Sequence, residues 1–517
     1  MIRYRRLSCS LRNVILQLKS ELVSGAEPDA ENVIIFTVKK ILTILLLALF
    51  PALPPVWADG LPDLGESARA DLSPQMERRI GKKAMQEIRA REPSYLDDPE
   101  LTDYLDRLTH RLIAASDDPG QETSTFVLRD PTLNAFAMPG GFIGVHTGLI
   151  VASQSESELA SVLAHESAHV TQHHLARQIN TQSQAQMITL LSLAVAVLAT
   201  RSNPDLAQGA MIGGQAAGVQ TQLNYSRDFE READRLGMQR LERAGFDIHA
   251  MGSFFQRLDK YGRLYDNSAP AYLRTHPLTT ERIADMENRI QSRPYRQVAD
   301  SLDYQLIRAK LHSQEGAPQD AITDFETQLK QGKFSSEAAT RYGLVEAQMR
   351  ARNYAAAEGE MQALRRLKLA SPMFETAAAE IQFRLGNAGE ANRLLKVAHS
   401  RYPHQRAITY ALVETQLDSK LAGDALQATI SDLQSNPADS RMHALQAKAY
   451  AQLGRILAQH RAQAEAYVGE GQLPSAIEQL HLAQKAPDGD FYERSEVDAR
   501  LRELMAIQAE ELKSERR

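Results

Sequence analysis

The chain has 517 residues, 43% of them hydrophobic and 24% charged, enough for two or three domains. Its net charge of −6 at pH 7 comes with no basic stripe, so nucleic acid is not an expected partner. Aromatic residues are scarce at 6%, while Ala, Leu and Gln are plentiful, which points to a mainly helical protein.

Residues 1–58 read as a leader. Val38-Lys39-Lys40 precedes the uncharged run Ile41 to Phe50, and Pro51 to Pro55 leads into Val56-Trp57-Ala58. This is the pattern of a secretory signal peptide over residues 38–58, cut after Ala58. The run is short of the ~20 residues that span a membrane, which leaves an uncleaved anchor as the alternative. Because residues 1–37 precede the signal, an upstream start codon is suspected, with translation beginning near Val38. The single cysteine, Cys9, lies in that leader, so the mature chain would enter an oxidising compartment without a thiol. No Cys follows the run to accept a lipid. Export from the cytoplasm is therefore expected.

Residues 59–300 read as one domain. Asp71 to Ala115 forms two helices broken near Pro93. Thr123 to Leu128 and Gly141 to His146 alternate as short strands, and an exposed strand edge near a catalytic centre can hold an extended peptide. His146 has no partner at ligand spacing and is assigned a structural role.

Leu163-Ala164-His165-Glu166-Ser167-Ala168-His169 contains H-E-x-x-H. Two His four residues apart share a helix face and can reach one tetrahedral metal ion. The intervening Glu166 is placed to take a proton from water activated there. Leu159, Val162, Leu163 and Val170 supply a core-facing side, and no Gly or Pro interrupts 156–180, so one continuous helix is expected. Along such a helix His173 lies about 12 Å from His165, too far for a shared ion. His173 and His174 are therefore read as solvated helix-face residues.

Catalytic zinc usually takes three protein ligands and keeps one position open. The third is sought in Asn224 to Gly237, where Glu230 and Asp234 stand four apart on one helix face. One carboxylate can bind the metal while the other braces a ligand imidazole. Glu232 is expected to project to the opposite side. Between the two motifs, Met187 to Ala199 is strongly apolar but short for a span; it is read as a buried helix, with peripheral membrane contact as the sharper alternative. The Gly-rich stretch Gly209 to Gly218 follows.

From Ser301 to Arg517 the texture becomes paired helices. Asn353, Asn387 and Leu421 are 34 apart, as are Ala357, Ala391 and Ala425, and Pro403 and Pro437 keep the same step. That period, with small residues where helices cross, marks tetratricopeptide repeats stacked into an α-solenoid. The register slips before Gly471-Gln472-Leu473-Pro474, which suggests an insertion. The concave side of such an array docks peptides or proteins; the alternative is a structural cap.

H-E-x-x-H followed by Glu230-Arg231-Glu232-Ala233-Asp234 resembles the zinc metallopeptidase family of the CAAX prenyl endopeptidases and HtpX, in the branch that joins a periplasmic peptidase domain to tetratricopeptide repeats. Asn134-Ala135-Phe136-Ala137-Met138-Pro139-Gly140-Gly141 resembles that family's N-A-F-A-x-P-G-G strand and turn, and Arg274-Thr275-His276-Pro277 to Arg282 its T-H-P-x-x-x-x-R segment. The likeness runs from about Leu61 to Arg293 and on into the repeats. It implies an α+β zincin-type domain with a small sheet and one zinc ion per subunit. His165, His169 and Glu230 would be the ligands, Glu166 the general base, and Asp234 a bracing or proton-handling carboxylate. His276 would be a regulatory ligand, and Asn134, Ala135, Phe136, Ala137, Pro139 and Gly140 would lie along the substrate. The inherited role is cleavage of misassembled outer-membrane β-barrel proteins, recruited with their assembly machinery through the repeats. A non-proteolytic chaperone with a latched or vestigial site is the competing reading. A membrane-embedded peptidase would need several long apolar spans, which this chain does not carry.

Overall fold

The computed structural model describes residues 73–178, 227–264, 271–291 and 293–515, all within one compact unit spanning 64–517. The signal-peptide pattern at 38–58, the apolar run at 187–199 and the Gly-rich stretch at 209–218 lie outside the described residues. Among those described, no helix is long and apolar enough to cross a membrane.

Helix α1 (Pro74–Arg91) starts where the Ser73 side chain accepts from the Met76 amide and Pro74 supplies a preset φ. Pro93 ends it. Strand β1 (Tyr95–Leu96) follows, and Asp98 caps helix α2 (Pro99–Ala114). Strands β2 (Ser124–Leu128), β3 (Ala135–Met138) and β4 (Phe142–His146) complete a four-stranded sheet of order β1-β2-β4-β3. Only β2 and β4 run parallel; β3 is an edge strand, antiparallel to β4. The alternation read from the sequence does not sort residues between core and solvent. Val127, Ile143 and Val145 face a large core with α2, whereas Phe126, Leu128, Phe136 and Phe142 face a second one under α1. The sheet is sandwiched between two apolar layers.

Helix α3 (Thr147–Ala152) leads to α4 (Glu156–Thr171), which carries H-E-x-x-H and is buried along its whole length. Ser155 caps it by accepting from the Glu158 amide. The helix does not run on to 180. It stops at Gln172, His173 adopts a left-handed φ of 49°, and a short helix α5 (His174–Gln178) sets off anew. The His173 side chain is held by both Glu77 oxygens of α1 at 3.0 Å, which anchors a turn that a non-glycine residue rarely makes. Helices α6 (Arg227–Arg243), α7 (His249–Leu264), α8 (Ala271–Thr275) and α9 (Thr280–Gln291) close the domain around α4.

The repeats begin with α10 (Leu302–Ser313) and α11 (Pro318–Gln331). They continue through α12 (Glu337–Arg350), α13 (Tyr354–Arg366), α14 (Pro372–Arg384), α15 (Ala388–Arg401), α16 (Arg406–Asp418), α17 (Ala422–Ser435), α18 (Ser440–Gln452) and α19 (Ile456–Gly469). Helices α20 (Leu473–Lys485) and α21 (Phe491–Glu515) end the array. The 34-residue step has a backbone cause. Arg352, Gly386, Lys420 and Gly454 all take positive φ at the turn inside each helix pair. Ala357, Ala391 and Ala425 are fully buried where the paired helices cross. The expected insertion near Gly471 is absent. Helix α20 begins within one residue of where the period from Ser440 places it, and Gly471 supplies a positive-φ turn between pairs instead of within one.

The array folds back over the N-terminal half of the described chain. Lys310 of α10 lies 2.7 Å from both Asp98 and Glu100 at the start of α2; burial opposes its charge, but the two carboxylates hold it ionised. Thr376 of α14 donates to Glu100 at 2.6 Å. At the junction, Glu156 in the first turn of α4 accepts from the Ser301 amide at 2.8 Å, the Ser301 hydroxyl at 2.7 Å and the Tyr104 hydroxyl at 3.0 Å. The Glu156 amide donates to Asp300 at 2.7 Å.

Glu346 of α12 and Glu380 of α14 line a cavity of about 390 Å³ against Asp98 and Glu100. Burial pushes the Glu346 carboxyl up to about 7, opposed by Lys310 and reinforced by Glu100 and Glu380. The folded chain thus binds this proton more tightly than the unfolded chain. The stability it contributes is intact below pH 4.5 and erodes as pH rises toward 7. Glu346→Gln should remove that erosion, gaining about 1–3 kcal/mol at pH 7.5 and nothing near pH 4.5. Thermal unfolding followed by circular dichroism at both pH values checks this; equal melting temperatures at pH 7.5 would count against it.

Candidate metal centre

Helix α4 stacks His165 and His169 one turn apart, with ring centroids 4.7 Å apart and Nε2 atoms 3.0 Å apart. Helix α6 lies against it because small residues meet at the crossing. Ala168 packs on Ala233, and a Cβ at Gly237 would sit 3.1 Å from the His165 amide nitrogen. That close approach brings Glu230 to the two imidazoles: its Oε2 is 3.6 Å from His165 Nε2 and its Oε1 is 3.4 Å from His169 Nε2. His276, just beyond α8, enters from the other side. Its Nδ1 is 2.9 Å from Glu230 Oε1 and 3.4 Å from His165 Nε2, and its Nε2 is 3.4 Å from Glu166. Tyr272 stacks on the His276 ring at 4.7 Å.

Asp234, one turn after Glu230, faces His165 Nδ1 at 3.0 Å. Arg282 grips the other side of Asp234 with Nε and a terminal nitrogen at 2.7 and 2.8 Å, and reaches Glu230 Oε2 at 2.7 Å. These charges decide the protonation states. Burial works against both carboxylates. His276, His169 and His165 nevertheless hold Glu230 well below the usual carboxylate range, while His165 and Arg282 hold Asp234 below it. Burial lowers His169 and keeps it neutral, as a ligand must be. Glu166 is fully buried, and burial raises its pKa against the opposing pull of His276, His165 and the Ala137 backbone.

The substrate-side residues fall into two groups. Ala137 of edge strand β3 lies with its backbone against Glu166. Phe136 turns away onto Phe126 and His146, and Asn134 turns toward His146, its amide 3.5 Å from Nε2. Gly140 has φ 72°, and a Cβ there would strike the Arg78 backbone of α1; its carbonyl accepts from Arg78. Pro139 is buried beside it. His146 is held by Thr132 at 2.9 Å and Asp130 at 3.5 Å, outside the four-residue cluster.

His173 and His174 are not solvated. Both are buried, because the helix break turns His173 toward α1 and His174 back toward His169, their Nδ1 atoms 2.9 Å apart. Glu232 leaves the Glu230 face as expected but does not reach open solvent; it pairs with His174 at 3.1 Å and Arg177 at 3.3 Å. Arg282 was legible as part of a motif but not as a partner. A buried Asp234 needs a counter-charge, and that need was the available signal.

His165, His169, Glu230 and His276 offer four ligand atoms within 4.8 Å of one another. Four contacts among His165 Nε2, His169 Nε2, His276 Nδ1 and Glu230 Oε1 run from 2.9 to 3.4 Å, against edges of about 3.3 Å for a tetrahedron with ~2.0–2.1 Å bonds. Two neutral-capable imidazoles, a carboxylate held ionised and a third imidazole form a donor set that fits a divalent metal.

A family model described as peptidase family M48 matches residues 99–290, and one described as tetratricopeptide repeat matches 382–449. The chain is 30% identical to the beta-barrel assembly-enhancing protease of Escherichia coli over 452 residues, 87% of this chain and 92% of that protein. The chain belongs to peptidase family M48. Membership makes it a metalloendopeptidase, with the family's peptidase domain joined here to a repeat array. Two other relatives fill out the likeness. A Vibrio cholerae protein, named as a candidate beta-barrel assembly-enhancing protease, is 40% identical over 289 residues, 55% of this chain and 59% of that protein. The mitochondrial metalloendopeptidase OMA1 of Schizosaccharomyces pombe is 31% identical over 223 residues, 42% of this chain and 62% of its own length.

Proposed function

We propose that this chain is a zinc-dependent endopeptidase of the cell envelope that removes misassembled outer-membrane β-barrel proteins and works beside their assembly machinery. The observation that carries the chemistry is the convergence of His165, His169 and Glu230 within ligand distance, with Glu166 buried beside them. Zinc held there supplies Lewis acidity to a scissile carbonyl and to the attacking water. Glu166 takes the water's proton and passes it to the leaving amine. Asp234, braced by Arg282, fixes the His165 ring. Edge strand β3 pairs with the extended substrate backbone across Glu166, with Ala137 nearest; the side chains of Asn134 and Phe136, like Pro139 and Gly140, shape that strand and its turn. The relatives' name and their coverage of this chain support the barrel substrates and the envelope location. The signal-peptide pattern at 38–58 supports export to the periplasm. The repeats support docking of clients and partner proteins.

His276 is the fourth donor in the cluster and also faces Glu166, so it latches the resting site. The test incubates purified protein with an unfolded barrel protein and with casein, with and without a chelator. Cleavage should require zinc and vanish with the chelator. His276→Ala should cleave roughly tenfold faster, because the closed population is released. Cleavage indifferent to chelation would reject the zinc mechanism. Silence of both forms, with client binding intact, would favour the scaffold reading that the same His276 contact allows.

A further inference from the structure

The two helix-borne imidazoles differ in what holds their second nitrogen. His165 Nδ1 faces a carboxylate, the common arrangement for a ligand histidine. His169 Nδ1 faces another ring nitrogen, His174 Nδ1, at 2.9 Å. His174 Nε2 in turn lies 3.1 Å from Glu232, which Arg177 also contacts at 3.3 Å. His174 is fully buried and lies flat on Phe229, ring centroids 4.5 Å apart and planes 11° apart; Arg177 sits over the same ring.

The backbone makes this contact possible. In an unbroken helix, residues five apart point about 140° away from each other. The left-handed His173, pinned by Glu77, breaks the helix and lets His174 curl back to His169.

Hydrogen-bond polarity then assigns the protons. An ionised carboxylate only accepts, so Glu232 takes the proton on His174 Nε2. A neutral imidazole has one N–H, which leaves His174 Nδ1 as an acceptor. His169 Nδ1 must therefore donate, and its Nε2 is left bare where it faces Glu230 and His165.

We propose that His174 and Glu232 are positioning residues that fix the tautomer and orientation of His169, and thereby the metal affinity of the centre. This rests on the metal reading above. The test compares zinc affinity by chelator competition at pH 7.5 in the full chain and in His174→Phe, His174→Asn and Glu232→Ala, with circular dichroism of each metal-free form. Phe fills the flat slot on Phe229 but accepts nothing; Asn offers a carbonyl oxygen to His169. His174→Phe and Glu232→Ala should bind zinc about 10–100-fold more weakly. His174→Asn should recover most of that loss, with unchanged metal-free spectra. A Phe variant that binds as tightly as the wild type overturns the proposal, as does an Asn variant no better than Phe. A wild-type chain that takes up no zinc overturns the metal reading, and this inference with it.

Discussion

Glu166→Gln should hydrolyse a protein substrate about 10²–10⁴-fold more slowly than the wild-type chain, with zinc uptake unchanged. Gln matches Glu in shape, so the packing around a fully buried position is kept. The Glu166 oxygens face His276 at 3.4 Å and the Ala137 backbone, contacts that an amide oxygen can keep. What it loses is the capacity to take and return a proton. The fold should not suffer. Burial raises the Glu166 pKa, so its ionised form costs stability at neutral pH, and the neutral amide removes that cost. Turnover, zinc content and melting temperature measured on one preparation separate these effects. A variant as active as wild type would end the assignment of Glu166 as general base. A variant without zinc would reassign Glu166 to the metal.

Arg282→Met should be the most destabilising single change at the centre, by about 3–5 kcal/mol at pH 7. Arg282 is buried and holds Asp234 with two contacts and Glu230 with one, and Met leaves both carboxylates without that guanidinium. Both carboxylates have depressed pKa values, so the stability they contribute is present above their ordinary 3.8 and 4.5 and is lost as pH falls through the lower folded values. The deficit of the variant should therefore be full at pH 7 and shrink below about pH 4. Zinc should narrow it too, since a cation beside Glu230 replaces part of the missing charge. Denaturant unfolding at pH 7 and at about pH 3, with and without zinc, checks all three expectations. A loss below about 1 kcal/mol at pH 7 would mean that the His rings, not Arg282, stabilise these carboxylates.

The parts of the centre legible in the sequence were those set by local periodicity. His165 with His169 and Glu230 with Asp234 are each four apart, and the helix repeat alone puts each pair on one face. The strand and turn at 135–141 and the 34-residue step of the repeats are local patterns of the same kind. What stayed hidden was set across distance. The break at His173 has no Gly or Pro to announce it; it depends on Glu77, almost a hundred residues earlier. Once that break is missed, His174 is assigned to solvent and Glu232 loses its partner. Arg282 meets Asp234 only after α9 has packed on α6, and Lys310 meets Asp98 and Glu100 only when the array folds back. The misplaced insertion at Gly471 had another origin. A glycine turn between helix pairs has the same sequence as one within a pair, and only the helix boundaries separate the two.

The junction at Glu156 has a mechanical consequence. Its carboxylate is tied to Ser301 and its amide to Asp300, where the chain enters the array, and it opens the helix that carries the metal-facing histidines about two and a half and three and a half turns later. No slack linker separates the anchoring point from that helix. Load applied to the start of the array would therefore pass directly into the rod that holds His165 and His169.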